Sequence, residues 1–163
     1  MNTQTTTCAT GSRLIAFHGR KAIKTKYLGR VRKHRKMDQI RQGHGYWKPD
    51  ASGEFRGCAV GCTLHSADHR AYETELGIPQ VLARLEDRLF ESMSAKRAQT
   101  WPEDFLAAIK PGADLSMVWP KFALWMLTDE TAGVIKFAKK DSTKQVQQLQ
   151  NKLNNLLKKK KNN

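Results

Sequence analysis

Apolar side chains recur at helical spacing in the first third of the chain. Between residues 19 and 42, Ile23, Tyr27, Val31 and His34 follow one another at intervals of four, four and three residues. This spacing places them on one face of an α-helix. The other faces carry lysine and arginine, so the pattern predicts an amphipathic helix with a basic exterior.

A second helical pattern follows Gly77, a residue that suits the C-cap of the helix before it. Pro79 suits the first turn of the new helix, where a missing N–H leaves no hydrogen bond unmade. The apolar positions recur every three or four residues, at Ile78, Leu82, Leu85, Leu89 and Met93. We therefore predict a helix that buries this side.

Two more helices are predicted downstream. Thr100 and Glu103 have capping-box spacing at the start of the first, with Pro102 in its first turn. Residues 117–127 are apolar nearly all round, which is typical of a helix buried on every side. We expect this second helix to lie at the centre of the core.

The composition changes at residue 141 to lysine, glutamine, asparagine and leucine. Val146, Leu149, Leu153 and Leu156 have the spacing of coiled-coil a and d positions, over less than two heptads. The pattern predicts an amphipathic helix or a disordered tail. It also offers residues 146–156 as a contact for a protein partner or for a second copy of the chain.

The predicted fold class follows from these helices. No alternating strand pattern competes with them, and residues 43–57 carry the glycines and the proline of a loop. We predict an all-α or predominantly α fold, a compact single-domain multi-helix structure with a basic C-terminal helical tail. The predicted organisation is a disordered N-terminus over 1–12, a helical globular domain over 13–140 and a tail over 141–163.

Charge is distributed unevenly, although the chain as a whole carries +14. Residues 1–48 hold twelve Lys or Arg and one acid, for a net charge of +11. Residues 49–138 have a net charge of −4, and residues 139–163 a net charge of +7. Basic ends around a mildly acidic centre indicate polyanionic partners and say nothing about the fold.

The predicted N-terminal helix concentrates this positive charge. Eleven cations and one acid lie between Arg20 and Lys48, and Tyr46 and Trp47 are placed to stack on a nucleic-acid base. The alternative is a solvated face that binds nothing. The predicted nucleic-acid-binding residues are Lys21, Lys24, Lys26, Arg30, Arg32, Lys33, Arg35, Lys36, Arg41 and Trp47.

Two cysteines and two histidines lie close together in the stretch RGCAVGCTLHSADHRAYETELG, residues 56–77. If residues 58–76 form one helix, Cys58, Cys62, His65 and His69 share a face, and an apolar stripe lies opposite. Such a face serves catalysis, metal binding or simple packing. The three interpretations differ in the partners that they require.

Catalysis requires a thiolate with a base beside it. Cys58 follows Gly57 at the start of this predicted helix, where the helix dipole lowers the pKa of a thiol. Cys62 and His65 lie one turn apart and form an alternative dyad. The predicted catalytic residues of a hydrolase or transferase are therefore Cys58, Cys62 and His65.

Metal binding requires ligands from more than one element, because one straight helix presents two ligands to a zinc ion and not four. Cys62, His65 and His69 are the predicted ligands, completed by residues from elsewhere. In the third interpretation the cysteines are small buried hydrophobes and the histidines hydrogen-bond in the core. We expect no cofactor by default, with zinc as the alternative.

The run RGCAVGCTLHSADHRAYETELGIPQVLARLEDRLFE, with ADLSMVWPKFALWML further on, resembles a family of bacterial and phage proteins without an assigned activity. The resemblance covers roughly residues 14–138, and the tail lies outside it. It implies no catalytic residues. It does imply a phage or mobile-element setting.

Location and function are inferred from these features together. No apolar run approaches the length of a membrane span, the first residues lack a signal-peptide core, and three cysteines do not suit a secreted disulfide framework. We expect a cytoplasmic protein, in the host cytoplasm if viral, that binds nucleic acid electrostatically. The alternatives are a Cys/His-dependent hydrolase or transferase, and a protein-interaction or inhibitor factor of a mobile element.

Overall fold

The structure is a computed structural model that describes residues 14–43, 48–137 and 140–161. In these residues it has eight α-helices and one two-stranded sheet, which confirms the predominantly α fold class. The helices are α1 (Lys21–Lys36), α2 (Ala59–Leu64), α3 (Ala71–Leu76), α4 (Gln80–Ser92), α5 (Ala95–Ala98), α6 (Trp101–Ala108), α7 (Val118–Thr128) and α8 (Lys140–Lys161). Two short 3-10 turns cover Ala16–Gly19 and Val134–Phe137.

The predicted loop over residues 43–57 contains a small hairpin. Strand β1 (Lys48–Pro49) pairs antiparallel with β2 (Phe55–Arg56). Asp50 closes the turn, because its Oδ1 accepts from the Ser52 N–H at 2.8 Å and its Oδ2 accepts from Arg56 Nε at 2.5 Å. A two-residue strand is too short to produce an alternating pattern, so the sequence did not indicate it.

Contacts divide the chain into two compact units, Met1–Asp114 and Leu115–Asn163. The first contains α1 to α6, and the second contains α7 and α8. The sequence placed a boundary near residue 140, whereas the contacts group α8 with α7. The predicted N-terminal segment 1–12 lies outside the described residues.

Helix α2 is the most buried element of the first unit. All six of its residues are buried, and it packs against α1, α4 and α6. Helix α1 meets it with the face predicted from the sequence, since Tyr27, Val31 and His34 are buried. The core of this unit therefore forms around a short helix of small side chains, which let the longer helices approach closely.

The buried face of α4 is only partly the predicted one. Ile78, just before the helix, and Leu82 are buried as expected, but Leu85 and Leu89 are half-buried. The remaining buried positions are Ala83, Glu86 and Phe90. The face is rotated from the leucine stripe and includes a carboxylic acid. The pattern of apolar residues could not locate this buried face, because one of the buried residues, Glu86, has an ionisable side chain that is normally exposed.

The expectation of one continuous helix over residues 58–76 is wrong. Helix α2 ends at Leu64, His65 after it has a left-handed backbone at φ 59°, and α3 starts only at Ala71. The turn between them is held by Asp68, whose Oδ1 accepts from the Arg70 N–H at 3.0 Å. The predicted stripe of cysteines and histidines therefore does not form.

Gly77 ends α3 as predicted, with φ 62°. The structure adds a second reason for glycine at this position: a Cβ there would lie 2.1 Å from the Ile15 carbonyl oxygen. The chain before α1 is pressed against this helix end by Phe17, which is fully buried, and by His18, whose Nε2 lies 3.1 Å from the Thr74 carbonyl oxygen. Residues 15–18 and the end of α3 thus pack backbone against backbone.

The prediction that residues 117–127 form a buried central helix is half wrong. The helix exists as α7, but none of its residues is fully buried, and Trp125 is 49% exposed. In its own unit α7 packs against α8, where Leu153 is buried while Leu149 and Leu156 are exposed. An apolar composition predicts a helix, but it does not show how many neighbours will cover that helix.

Candidate functional site

Two of the predicted binding cations on α1 donate to backbone carbonyl groups of the protein itself. Lys24 Nζ donates to the carbonyl oxygens of Ala107 and Ile109, both at 2.7 Å, at the end of α6. Arg30 donates to the Thr63 carbonyl oxygen at 2.8 Å, at the end of α2. Carbonyl groups at a helix C-terminus lack partners in their own helix and carry partial negative charge. Cations of α1 therefore cap the two helices packed against it.

Two more cations of α1 pair with one carboxylate of α6. Arg32 Nε and a terminal nitrogen of Arg35 each lie 2.7 Å from an oxygen of Glu103, whose side chain is 15% exposed. This pairing replaces the predicted capping box, because Thr100 has a helical backbone and makes no side-chain cap bond. Glu103 thus joins α6 to α1.

Four lysines of α1 are exposed, and one of them, Lys26, also places its Nζ 5.0 Å from the centroid of the Tyr27 ring. Lys21, Lys26, Lys33 and Lys36 are exposed, and none forms an ion pair with another described residue. At about 100° per residue they lie within one arc of roughly 140°, along about 22 Å of helix. Helix α1 contains no acid. We call these four residues the lysine face.

Two predicted nucleic-acid-binding residues, Arg41 and Trp47, lie in the chain segment after α1. Arg41 forms an ion pair with Asp38, three residues before it. Trp47, predicted to stack on a base, lies outside the described residues. The aromatic part of the predicted footprint therefore stays a prediction.

The predicted catalytic cysteines are deeply buried. Cys58 is 1% exposed and Cys62 is 0% exposed. Burial, together with the neighbouring Asp87 carboxylate, raises the pKa of the Cys58 thiol, and burial raises the pKa of Cys62 to about 12. Cys62 Sγ donates to the Gly57 carbonyl oxygen at 3.4 Å. Both thiols are therefore protonated at neutral pH.

His65 pairs with another histidine and not with Cys62. Its Nε2 lies 2.7 Å from Nε2 of His34, and His34 Nδ1 lies 2.6 Å from Oε1 of Gln39. Because an amide oxygen only accepts, His34 Nδ1 carries a proton, and its Nε2 accepts from His65. Burial lowers the pKa of both rings, that of His65 to about 4, with Arg30 adding to the effect. The pair is neutral at pH 7.

The predicted metal ligands are distributed over different surroundings. Cys62 faces the Gly57 carbonyl, His65 faces His34, and His69 Nε2 lies 3.6 Å from an oxygen of Asp87. Within the described ranges, no three His, Cys, Asp or Glu side chains form a group that could hold a metal ion. Zinc binding stays a prediction.

Sequence reasoning missed a buried carboxylic acid beside this region. Glu86 is fully buried, and its Oε2 accepts from the Tyr72 hydroxyl at 2.6 Å. Burial raises the pKa of Glu86 to about 8, so it is mostly protonated at pH 7. The available signal was its position: Glu86 lies four residues after Leu82 and four before Phe90, in line with two core residues.

Comparisons with family models, curated proteins and solved structures find no match to this chain. The resemblance to bacterial and phage proteins therefore stays an expectation. In the part of the chain that the structure describes, no helix combines the length and the apolar character needed to cross a bilayer.

Proposed function

We propose that the protein binds nucleic acid through the lysine face of α1, by electrostatic contacts to phosphate groups. The observation that carries the proposal is the exposure of Lys21, Lys26, Lys33 and Lys36 on one side of a helix without acids. Lysines placed against phosphates release condensed counterions, and this release drives binding.

The other cations of α1 support the proposal indirectly. Lys24, Arg30, Arg32 and Arg35 fix the helix to α2 and α6 through carbonyl groups and Glu103. The lysine face is therefore presented by a helix that is held in place along its length. Phosphate contacts carry no sequence information, so the proposed binding is independent of sequence.

The geometry supports the enzymatic alternative less well. A nucleophilic cysteine acts as a thiolate and needs a base within hydrogen-bond reach. Cys58 and Cys62 are buried with raised thiol pKa values, and His65 is engaged with His34. A protein contact through residues 146–156 stays a prediction, with Leu149 and Leu156 exposed for it.

The proposal is tested with two triple variants of equal charge. Lys26, Lys33 and Lys36 are changed to Gln in one, and Lys96, Lys110 and Lys121 in the other, all of them exposed lysines. Fluorescence anisotropy measures binding to labelled single- and double-stranded oligonucleotides. We expect the first variant to lose at least about tenfold in affinity and the second to lose much less. Equal losses of affinity in the two variants would show that binding depends on net charge alone. That result would refute the proposal that the lysine face is the binding surface.

A further inference from the structure

A pocket of about 410 Å³ opens beside α4, and none of its lining residues belongs to the lysine face. Its lining residues are His69, Arg84, Asp87, Arg88 and Glu91. Four of them come from α4 and lie on one side of that helix, because positions 84, 87, 88 and 91 fall within about 100° of one another. His69, in the turn between α2 and α3, supplies another wall.

The two acids of the pocket each lie close to a group outside α4. Asp87 Oδ2 lies 3.6 Å from His69 Nε2, and the Asp87 carboxylate also neighbours the buried Cys58 thiol. Glu91 Oε2 accepts from the backbone N–H of Gly43 at 2.9 Å. Both carboxylates are therefore turned toward groups outside α4.

The two arginines of the pocket are left without these acids as partners. Arg84 precedes Asp87 by three residues, and Arg88 precedes Glu91 by three, a spacing at which side chains on a helix pair. Neither guanidinium forms an ion pair within the described ranges, and both residues are exposed. Two arginines, one helical turn apart, thus line the pocket with no ion pair to any residue that the structure describes.

We propose that Arg84 and Arg88 form a binding site for a phosphate group. A guanidinium matches two oxygens of a phosphate with two parallel hydrogen bonds, and two guanidiniums one turn apart can hold one tetrahedral oxyanion between them. The volume admits a phosphate together with a small organic group. The ligand is inorganic phosphate, a phosphorylated small molecule or a nucleic-acid phosphate, and the site stands independently of the lysine face.

Isothermal titration calorimetry with inorganic phosphate and with pyrophosphate tests the site on the full chain. The Arg84→Gln/Arg88→Gln variant is compared with Lys96→Gln/Lys110→Gln, which removes the same charge from exposed positions outside the pocket. We expect saturable binding to the unmodified protein, a loss of at least about tenfold in the arginine variant, and little change in the lysine variant.

Glu91→Gln provides an independent measurement of opposite sign. The amide keeps an acceptor oxygen for Gly43 but removes a negative charge beside the arginines, so phosphate affinity rises. A lower phosphate affinity would show that the Glu91 carboxylate does not oppose phosphate binding, and it would overturn the assignment. Equal losses in the arginine and lysine variants, or no saturable phosphate or pyrophosphate binding below about 10 mM, would also overturn it.

Competition identifies the source of the phosphate. A nucleoside monophosphate and a short oligonucleotide are each titrated against bound pyrophosphate, in the unmodified protein and in the Lys26/Lys33/Lys36→Gln variant. Displacement by the monophosphate assigns the site to a small molecule, and displacement by the oligonucleotide alone assigns it to nucleic acid. The lysine variant keeps Arg84 and Arg88. The competition result can therefore be interpreted even if the lysine face does not bind nucleic acid.

Discussion

Glu86 occupies a helix position that normally holds an apolar side chain. Its neighbours along the helix face are Leu82 and Phe90, and its polar partner is the Tyr72 hydroxyl. Burial without a cation keeps the acid protonated well above the usual range of a glutamic acid, with a pKa of about 8. The hydrogen bond to Tyr72 then joins α3 to α4 without a buried charge.

Glu86→Gln is expected to stabilise the protein above neutral pH. The unfolded chain holds this proton only below about 4.5, whereas the folded protein holds it up to about 8, so stability falls as pH rises across that window. Glutamine keeps an acceptor for Tyr72 and does not ionise. Urea denaturation at pH 5 and pH 8 measures the effect, with a gain of about 1–3 kcal/mol expected at pH 8.

Exposed Glu130→Gln serves as the control for this prediction, because it makes the same chemical change outside the core. Its effect on the free energy of unfolding should be small at both pH values. If Glu86→Gln destabilises the protein equally at both pH values, Glu86 is ionised in the fold and its assigned protonation state is wrong.

Gly77 and Gly112 separate two reasons for glycine. Both have positive φ, 62° and 86°, but only a Cβ at Gly77 would collide with another atom, the Ile15 carbonyl oxygen at 2.1 Å. We expect Gly112→Ala to cost about 1–2 kcal/mol from backbone strain, and Gly77→Ala at least about 2 kcal/mol more. Thermal or urea unfolding measures both. Equal costs would show that Ile15 does not pack against the end of α3 as described.

At the scale of elements, hydrophobic periodicity predicted best the helices that have one solvent-exposed face and one buried face. Helix α1 buries its predicted residues Tyr27, Val31 and His34. The break at His65 was not predictable, because a left-handed backbone is uncommon at any residue other than glycine, even though histidine adopts it more often than most. Nor was the exposure of α7, since a sequence shows the apolar character of a helix but not its neighbours.

The sequence predicted the lysine face only in part, because it does not show which groups surround each side chain. The sequence identifies a basic helix, but every cation on it looks alike. The structure separates Lys24 and Arg30, which reach helix ends, from Lys33 and Lys36, which do not. That distinction depends on where α2 and α6 end in space, and no spacing along α1 encodes it.

Arg30→Met and Lys33→Met test this division between structural and surface cations. Arg30 donates to the Thr63 carbonyl oxygen and lies 5.0 Å from the Tyr27 ring centroid, whereas Lys33 is exposed. We expect Arg30→Met to lower the free energy of unfolding by about 1–2 kcal/mol and Lys33→Met to change it by less than about 0.5 kcal/mol. Chemical denaturation measures both, and equal effects would contradict the assignment.

At the scale of the whole molecule, the positive charge of the N-terminal region is only partly available. Some of it is neutralised by Glu103 and Asp38 or directed at backbone carbonyls. The lysine face is what remains on α1, and the arginines of the pocket form a second positive group on α4. The net charge of +14 is therefore larger than the charge available for binding. Because the four lysines of the lysine face lie on one helix, their contribution can be tested by mutation.

The salt dependence of nucleic-acid binding tests the central claim most directly. Affinity for a duplex oligonucleotide is measured between about 50 and 200 mM salt, for the unmodified protein and for the two triple lysine variants. The account predicts a linear fall of log affinity with log salt, with a slope that is smaller by roughly 3 in Lys26/Lys33/Lys36→Gln and unchanged in Lys96/Lys110/Lys121→Gln. Binding that does not respond to salt, or a slope that the first variant leaves unchanged, would contradict it.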